Sequence, residues 1–198
     1  EITNQMEYDD EVAFLATQKL YDLSRRLDDR PWCLTVSFTH PHDPYVARRR
    51  FWDLYEDCPA LDPEVAPIPF DEQDSHSQRL MEACDFRNFD ITTRDIRRAR
   101  QGYFANISYV DEKIGEILDV LARGQMDQDT IVLFVSDHGD MLGERGMWFK
   151  MSFFEGASRV PLMIAAPGWT PGRIDQPAST LDVVPTVAAL AGLDISTL

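Results

Sequence analysis

An unbroken run of apolar residues ends close to an acidic residue and a histidine. The run covers residues 131–135, and Asp137 and His138 follow it after one serine. β-Branched and aromatic residues without polar alternation are typical of a parallel strand buried on both faces. Because ligands bind at the carboxyl ends of such strands, the pattern predicts an oxygen-and-nitrogen metal site at Asp137 and His138. Taken alone, an Asp-His pair more often forms a turn with a solvated histidine.

Helix and strand signals alternate along the chain. Apolar residues from Val12 to Leu27 recur at helical spacing, and Pro31 ends that pattern. An apolar run over 32–38 follows, and then come a helix over 94–123, strands over 130–136 and 160–165, and a helix over 183–191. This order predicts the α/β class, with a mostly parallel central sheet flanked by helices. Residues 41–94 are rich in Pro and Asp and show no clean period, which indicates an irregular insertion.

The charge and the cysteines limit the partners and the compartment. The formal net charge of −15 argues against nucleic acid and membrane partners. It is compatible with a cationic substrate, although ordinary solubility also explains it. Three widely spaced cysteines, at positions 33, 58 and 84, argue against a disulfide framework or a structural zinc site. They are consistent with a reducing compartment, so we expect a cytoplasmic rather than a periplasmic location.

Motifs on both sides of His138 resemble those of the type I sulfatases, in the alkaline phosphatase superfamily. Downstream, Lys150 and the Arg159-Val160-Pro161 block match the second half of those enzymes. Upstream, the element His40-Pro41-His42 stands where sulfatases carry a His-x-Pro sequence. Segments 51–58 and 143–151 are similar to those of the choline sulfatases. The resemblance covers nearly all of residues 1–198 and implies part of one sulfatase catalytic domain, with an N-terminal nucleophile segment and a C-terminal part missing.

The resemblance implies a sulfuric ester hydrolase that converts choline sulfate to choline and sulfate. Sulfatases use a formylglycine made from the Cys or Ser of a Cys/Ser-x-Pro/Ala-x-Arg motif, and none of the three cysteines lies in that context. We therefore expect the nucleophile outside this segment, and we expect residues 1–198 alone to be inactive. Asp137 and His138 would be half of a metal site. Calcium is the usual ion, but His138 stands where many arylsulfatases carry Asn, and a nitrogen ligand fits calcium less well than manganese or zinc.

Two basic residues are expected to act on the substrate. By the resemblance, Lys150 contacts the sulfate oxygens, and His42 donates a proton to the leaving oxygen. His40 is the alternative to His42, because either ring could instead satisfy a hydrogen bond at the strand end. Four further residues are expected to orient the ligand loop: Asp140, Glu144, Arg145 and Arg159. An aromatic cage for a quaternary ammonium group could draw on Trp32, Trp52, Trp148, Trp169 and Tyr45.

Other functions remain open at this point. The same superfamily includes phosphonate monoester and phosphodiester hydrolases, which share the Asp-His-Gly loop. A catalytically inactive fragment that acts as a structural module is the alternative from a different class. An upstream Cys-x-Pro-Ser-Arg sequence would support an enzyme, and its absence would support the module. The expected partner is a small-molecule sulfate ester, and a homo-oligomer of the full-length protein stays open.

Overall fold

A computed structural model describes residues 2–27 and 29–194 of the chain. In this part the chain forms six α-helices and two β-strands, joined by loops and single-turn 3₁₀ helices. The helices are α1 (Asn4–Ser24), α2 (Arg49–Trp52), α3 (Ser75–Ala83), α4 (Thr93–Arg123), α5 (Glu155–Ser158) and α6 (Val183–Leu190). The strands are β1 (Val132–Val135) and β2 (Leu162–Ala165). None of the helices within the described ranges is both long enough and apolar enough to cross a lipid bilayer.

The long helices α1 and α4 form the scaffold of the chain. Leu20 and Leu23 of α1 pack with Val120 and Leu121 of α4 in a buried apolar cluster. Closer to the N-terminus of α1, the hydroxyl of Tyr109 on α4 donates to the Met6 carbonyl oxygen at 3.2 Å. The two helices are therefore joined at both ends of their contact, by apolar burial and by a buried hydrogen bond.

The predicted helix boundaries agree closely for α4 and α6 and less well for α1. Helix α4 begins at a reciprocal cap, in which the Thr92 side chain accepts from the Asp95 backbone and the Asp95 carboxylate accepts from the Thr92 backbone. Helix α1 ends at Ser24, whereas the apolar stripe predicted it to continue to Leu27. The last turn tightens instead, with Arg25 N–H donating to the Asp22 carbonyl oxygen, and Leu27 is fully exposed.

The two strands pair with each other in an antiparallel direction. Val132 lies opposite Ala165, and Val135 lies opposite Leu162. The sequence predicted mostly parallel pairing and a β1 buried on both faces, but all four residues of β1 are half-buried. An apolar run indicates that a strand is buried, but it does not indicate the direction of the neighbouring strand. The antiparallel pairing of β1 with β2 could therefore not be predicted from the pattern.

Residues 32–38 were predicted to be a strand, and they form no strand ladder among the described residues. Their exposure nevertheless alternates, with Trp32, Leu34, Val36 and Phe38 half-buried and the residues between them exposed. Trp32 and Leu34 pack against the α1/α4 apolar cluster. This period of two is typical of an extended segment with one face packed on a core. The segment leads directly to His40 and His42.

Candidate active site

Asp137 and His138 lie on a tight loop that follows β1. The Asp137 Oδ1 atom accepts a hydrogen bond from the His138 backbone N–H at 2.9 Å. The next residue, Gly139, donates its N–H to the Ala157 carbonyl oxygen at 2.8 Å. A Cβ atom at position 139 would lie 2.1 Å from the Gly156 carbonyl oxygen, so only glycine fits there. The loop is thus held against α5 immediately after the predicted metal ligands.

Lys150 lies between two histidines from distant parts of the chain. Its Nζ atom is 3.1 Å from Nε2 of His42 and 2.9 Å from Nε2 of His138. The two imidazole rings meet edge to face, with centroids 5.7 Å apart. The structure therefore brings together three of the residues that the sequence predicted for the site.

The remaining nitrogen of each imidazole faces oxygen acceptors. Nδ1 of His138 is 2.8 Å from the Gly139 carbonyl oxygen. Nδ1 of His42 is 3.1 Å from the Asp43 carbonyl oxygen and 2.9 Å from the Asp43 carboxylate. Because these oxygens accept and cannot donate, we assign the ring proton of each histidine to Nδ1. Both Nε2 atoms then present a lone pair, which accepts from the Lys150 ammonium group.

The donor set of Asp137 and His138 fits a divalent cation. Asp137 is 86% exposed at its side chain, and its Oδ2 atom lies 3.7 Å from Nε2 of His138. A metal-binding histidine usually donates its other ring N–H to a carbonyl or carboxylate, as His138 does to Gly139. Within residues 2–27 and 29–194, no group of three or more His, Cys, Asp or Glu side chains is arranged to enclose an ion. Asp137 and His138 can therefore supply part of a coordination shell and not all of it.

His40 has surroundings that differ from those of His42. Its side chain is 1% exposed, and its Nδ1 atom lies 2.7 Å from the Asp9 carboxylate on α1. The same carboxylate accepts from the backbone N–H groups of Thr39 and His40. The His40 ring meets Tyr109 edge-on at 5.4 Å. Of the two candidate histidines, His42 faces Lys150, and His40 lies in a buried polar cluster that joins the loop to α1 and α4.

Asp140 binds both ends of the loop that leads to Lys150. Its Oδ1 atom accepts from the backbone N–H groups of Leu142 at 2.9 Å and Phe149 at 3.2 Å. Its Oδ2 atom accepts from the Tyr45 hydroxyl at 2.8 Å. Burial raises the pKa of Asp140, and these hydrogen bonds oppose the rise. Asp140 therefore has the contacts expected of a residue that orients this loop.

Glu144 and Arg145 connect the loop to residues 64–73. The Glu144 carboxylate accepts from the Glu64 and Val65 backbone N–H groups and pairs with Arg100 on α4 at 3.1 Å. The Arg145 carbonyl oxygen accepts from the Gln73 side chain at 2.6 Å. Both residues thus act on the loop through the segment that was predicted to be an irregular insertion.

Arg159 differs from the other three residues predicted to orient the loop. It lies on the surface and pairs with Glu155, four residues earlier, at 3.3 Å. This spacing keeps both side chains on the outer side of the single-turn helix α5. In the described structure Arg159 therefore has a surface ion pair in place of the expected contact with the loop.

The five aromatic residues proposed for a cage do not all converge. Tyr45 and Trp148 are neighbours, with ring centroids 6.3 Å apart. Trp52 lies with Tyr45 along an open cavity of about 880 Å³. Trp32 packs on the α1/α4 cluster, and Trp169 is exposed on the surface. The geometry therefore groups Tyr45 with Trp148 near the loop of Lys150.

Sequence reasoning missed two carboxylates that hold the histidines. Asp43 follows His42 directly, and an adjacent His-Asp pair is a signal that could have identified it. Asp9 binds His40 from 31 residues away. In the sequence it is one of many polar residues on α1, and nothing there distinguishes it from the others. Only the packing of α1 against the histidine loop brings the second pair together.

The comparisons with known proteins agree over almost the whole chain. The family model described as Sulfatase matches residues 2–193. The chain is 70% identical over 198 residues to the choline-sulfatase of Rhizobium meliloti (strain 1021), a match that covers 98% of this chain and 39% of that enzyme. The chain thus spans about two fifths of the length of this curated relative.

Two solved structures have the same fold. The phosphonate monoester hydrolase SpPMH from Silicibacter pomeroyi superposes with a TM-score of 0.77 at 28% identity, covering 93% of this chain and 38% of that one. The phosphonate monoester hydrolase of Agrobacterium radiobacter has a TM-score of 0.72 at 29% identity, over 92% of this chain and 39% of that one. These likenesses confirm the predicted α/β class of the alkaline phosphatase superfamily. Since the family match extends from residue 2 to residue 193, this chain belongs to the sulfatases.

Proposed function

We propose that this protein is a sulfuric ester hydrolase that splits choline sulfate into choline and sulfate. The observation that carries the proposal is the position of Lys150, whose ammonium group lies between Nε2 of His42 and Nε2 of His138. The 70% identity to the R. meliloti choline-sulfatase supports the substrate. The net charge of −15 is compatible with the cationic choline group.

Lys150 would bind the sulfuryl oxygens. An ammonium group is a compact positive charge with three donors on a flexible stem, so it can turn from an imidazole to a ligand oxygen. Lys150 is exposed, and its two partners are assigned as neutral acceptors, so among the described residues no direct ion pair compensates its charge. Negative charge on the sulfuryl group would be stabilised in both the ground state and the transition state.

His42 would donate the proton that the leaving alcohol needs. Its Nε2 atom faces the site, and its Nδ1 atom contacts the Asp43 carboxylate at 2.9 Å. A carboxylate in that position holds the ring orientation, and the ring acts as an acid only when Nε2 as well as Nδ1 carries a proton. Choline leaves as an aliphatic alkoxide, which is a poor leaving group unless it is protonated as the bond to sulfur breaks.

Asp137 and His138 would hold a divalent cation, completed by ligands from outside this segment. Calcium is the ion that the sulfatase resemblance implies, and the imidazole ligand also suits manganese. When bound, the cation and a formylglycine from outside residues 1–198 supply the Lewis acid and the nucleophile. The part of this chain is to hold the two donors in place through the Gly139 contact with α5.

A phosphonate monoester hydrolase is the second candidate. The two solved structures with TM-scores of 0.77 and 0.72 are both enzymes of that name. Sulfate esters and phosphonate monoesters are both tetrahedral anions with an ester oxygen as the leaving atom. His42 and Lys150 could therefore serve either substrate.

A substrate panel on the full-length protein distinguishes these candidates. Choline sulfate, nitrophenyl sulfate and a phosphonate monoester would be compared by kcat/KM, with Lys150→Ala as the test that turnover uses this site. We expect choline sulfate to have the highest kcat/KM. A higher value for the phosphonate monoester would favour the second candidate. Turnover of none of these esters by the metal-loaded protein would favour a structural module.

A further inference from the structure

Tyr45 connects the loop of His42 to the loop of Lys150. Its hydroxyl donates to Oδ2 of Asp140 at 2.8 Å, across 95 residues of sequence. Tyr45 lies three residues after His42, and Asp140 binds the backbone of Phe149, the residue before Lys150. One hydrogen bond thus joins the segment of His42, the proposed acid, to the segment of Lys150, the proposed positive charge.

The backbone that Asp140 holds has an unfavourable conformation. Leu142 and Phe149 have φ values of 47° and 64°, in the left-handed region that residues with a Cβ atom rarely adopt. Both of their N–H groups donate to the same Asp140 oxygen. Residues keep such conformations only where the surroundings hold them. The direction in which Lys150 leaves the backbone therefore depends on the placement of the Asp140 carboxylate.

Tyr45 is itself held firmly. A Cβ atom on Gly102 of α4 would lie 2.1 Å from the Tyr45 carbonyl oxygen, so the two backbones are in direct contact. The Tyr45 ring contacts Tyr103 and Trp148, with centroids 6.1 and 6.3 Å away. Burial, together with the charge of Asp140, raises the pKa of Tyr45 well above its usual value, so the hydroxyl remains a donor at neutral pH. The donor is therefore fixed to the helical scaffold.

We propose that Tyr45 is a positioning residue that, through Asp140, sets the separation between Nε2 of His42 and Nζ of Lys150. The inference rests on the proposed function, because it requires that His42 and Lys150 act on the same ester. Tyr45 fixes where the loop of Lys150 lies relative to α4, and the His42 loop is built on the same contact with α4. Loss of the hydroxyl would let the two groups drift apart while the core of the protein stays folded.

The test is Tyr45→Phe in the full-length protein, which removes one hydroxyl and keeps the ring contacts. Misplacement of reacting groups by about 1 Å lowers turnover strongly, so we expect kcat on choline sulfate to fall roughly 10- to 100-fold with little change in KM. The loss should be smaller on nitrophenyl sulfate, whose leaving group needs less help from a proton. Tyr55→Phe is the matched control, because it removes a tyrosine hydrogen bond to Ser108, 2.7 Å long, away from both loops.

A cycle with Asp140→Asn tests whether the two residues act through one contact. If they do, the double variant should be no slower than the slower single variant, because the second change removes a contact that is already lost. Independent, multiplying losses would overturn the proposal. So would a Tyr45→Phe variant that slows both substrates equally and only in proportion to its folded fraction. Should Tyr45→Phe fold poorly, Asp140→Asn alone must show the same leaving-group dependence.

The outcome can be separated from failure of the proposed function. If the wild-type enzyme hydrolyses phosphonate monoesters and not sulfate esters, the sulfatase assignment fails, and the same comparison is made with an alkyl and an aryl phosphonate monoester. A crystal structure of Tyr45→Phe gives a readout that needs no turnover. We expect the distance between Nε2 of His42 and Nζ of Lys150 to exceed 3.1 Å in the variant. An unchanged distance would overturn the proposal.

Discussion

Nζ of Lys150 lies 3.1 Å from Nε2 of His42, although 108 residues separate them in the chain. The two residues follow different predicted strands, and the segments after those strands meet where Lys150 contacts both His42 and His138. Under the proposed function, the pairing would place a charge for the sulfuryl oxygens beside a proton donor for the leaving oxygen. It also makes the two roles separable by mutation, because one depends on charge and the other on the leaving group.

Replacing His42 with Ala should slow turnover in a way that depends on the leaving group. An aliphatic alkoxide needs its proton far more than a phenolate does, so the rate on choline sulfate should fall much more than the rate on nitrophenyl sulfate. The measurement is kcat on both substrates with chemistry rate-limiting. His40→Ala serves as the comparison, and finding the leaving-group dependence in that variant would assign the proton to His40.

Lys150→Ala should weaken both binding and turnover. A hydrogen bond to a charged group contributes about 1.5–3 kcal/mol, so kcat/KM should fall by roughly 10- to 150-fold on both esters. The effect should appear in KM as well as in kcat, because the charge acts in the ground state and the transition state. Lys19→Ala, at an exposed position on α1, is the control. A variant with normal KM would contradict a role in sulfate binding.

Asp137→Ala should remove most of the bound divalent metal and nearly all turnover from the full-length enzyme. The side chain is 86% exposed, so its removal leaves no cavity and the fold should be kept. Elemental analysis of the purified variant, with circular dichroism as the check on folding, measures this. Asp111→Ala, at an exposed position on α4, is the matched control. Wild-type metal content with normal activity would disprove the ligand assignment.

Asp9→Ala should destabilise the fold without a direct effect on chemistry. It leaves the buried His40 ring and two backbone N–H groups without their acceptor. Leaving a buried donor without its acceptor costs about 1–3 kcal/mol, which denaturant titration would detect as a lower midpoint. Glu11→Ala, an exposed change on the same helix, should have little effect. Loss of less than about 1 kcal/mol would show that this cluster does not hold the loop to α1.

Asp10 should make the stability depend on pH in the acidic range. Burial raises its pKa, but the hydrogen bond from Tyr109 and the charges of Arg48 and Lys113 outweigh that effect, so the pKa lies below its ordinary value. Its contribution is therefore present above the unfolded pKa of about 3.9 and is lost as the pH falls through the folded value. Asp10→Asn should lower the free energy of unfolding by about 1 kcal/mol at neutral pH, a figure reduced for its partial exposure.

The difference between Asp10→Asn and wild type should shrink as the pH falls below the unfolded pKa of about 3.9, and it should disappear once the pH lies below the lowered folded pKa of Asp10. Urea titrations at several pH values measure it, and Asp111→Asn controls for the loss of a charge on the surface. If the difference in free energy of unfolding between the variant and wild type stays constant over the acidic range, the Asp10 carboxylate is not the source of the pH dependence.

Local patterns predicted the helices well where tertiary contacts reinforced them. Helix α4 has a cap at Thr92 and a long apolar stripe, and its observed bounds, Thr93–Arg123, lie within one residue of the prediction. The prediction that α1 continues to Leu27 was wrong, because the spacing of apolar residues does not show where the chain turns away from its partner helix. Pairing of β1 with β2 also lay outside local information, because strand direction is set by the path of the chain between the strands.

Residue identities and spacing were enough to indicate the sulfatase family, which the family match confirms. They also proposed His42, His138 and Lys150 for one site, and the structure brings these three residues together. The roles of His40 and His42 were decided by tertiary structure. Packing against α1 gives His40 a buried carboxylate, whereas the loop turns His42 toward Lys150. The bond between Tyr45 and Asp140 has the same origin, because a contact across 95 residues exists only once both loops lie on α4 and β1.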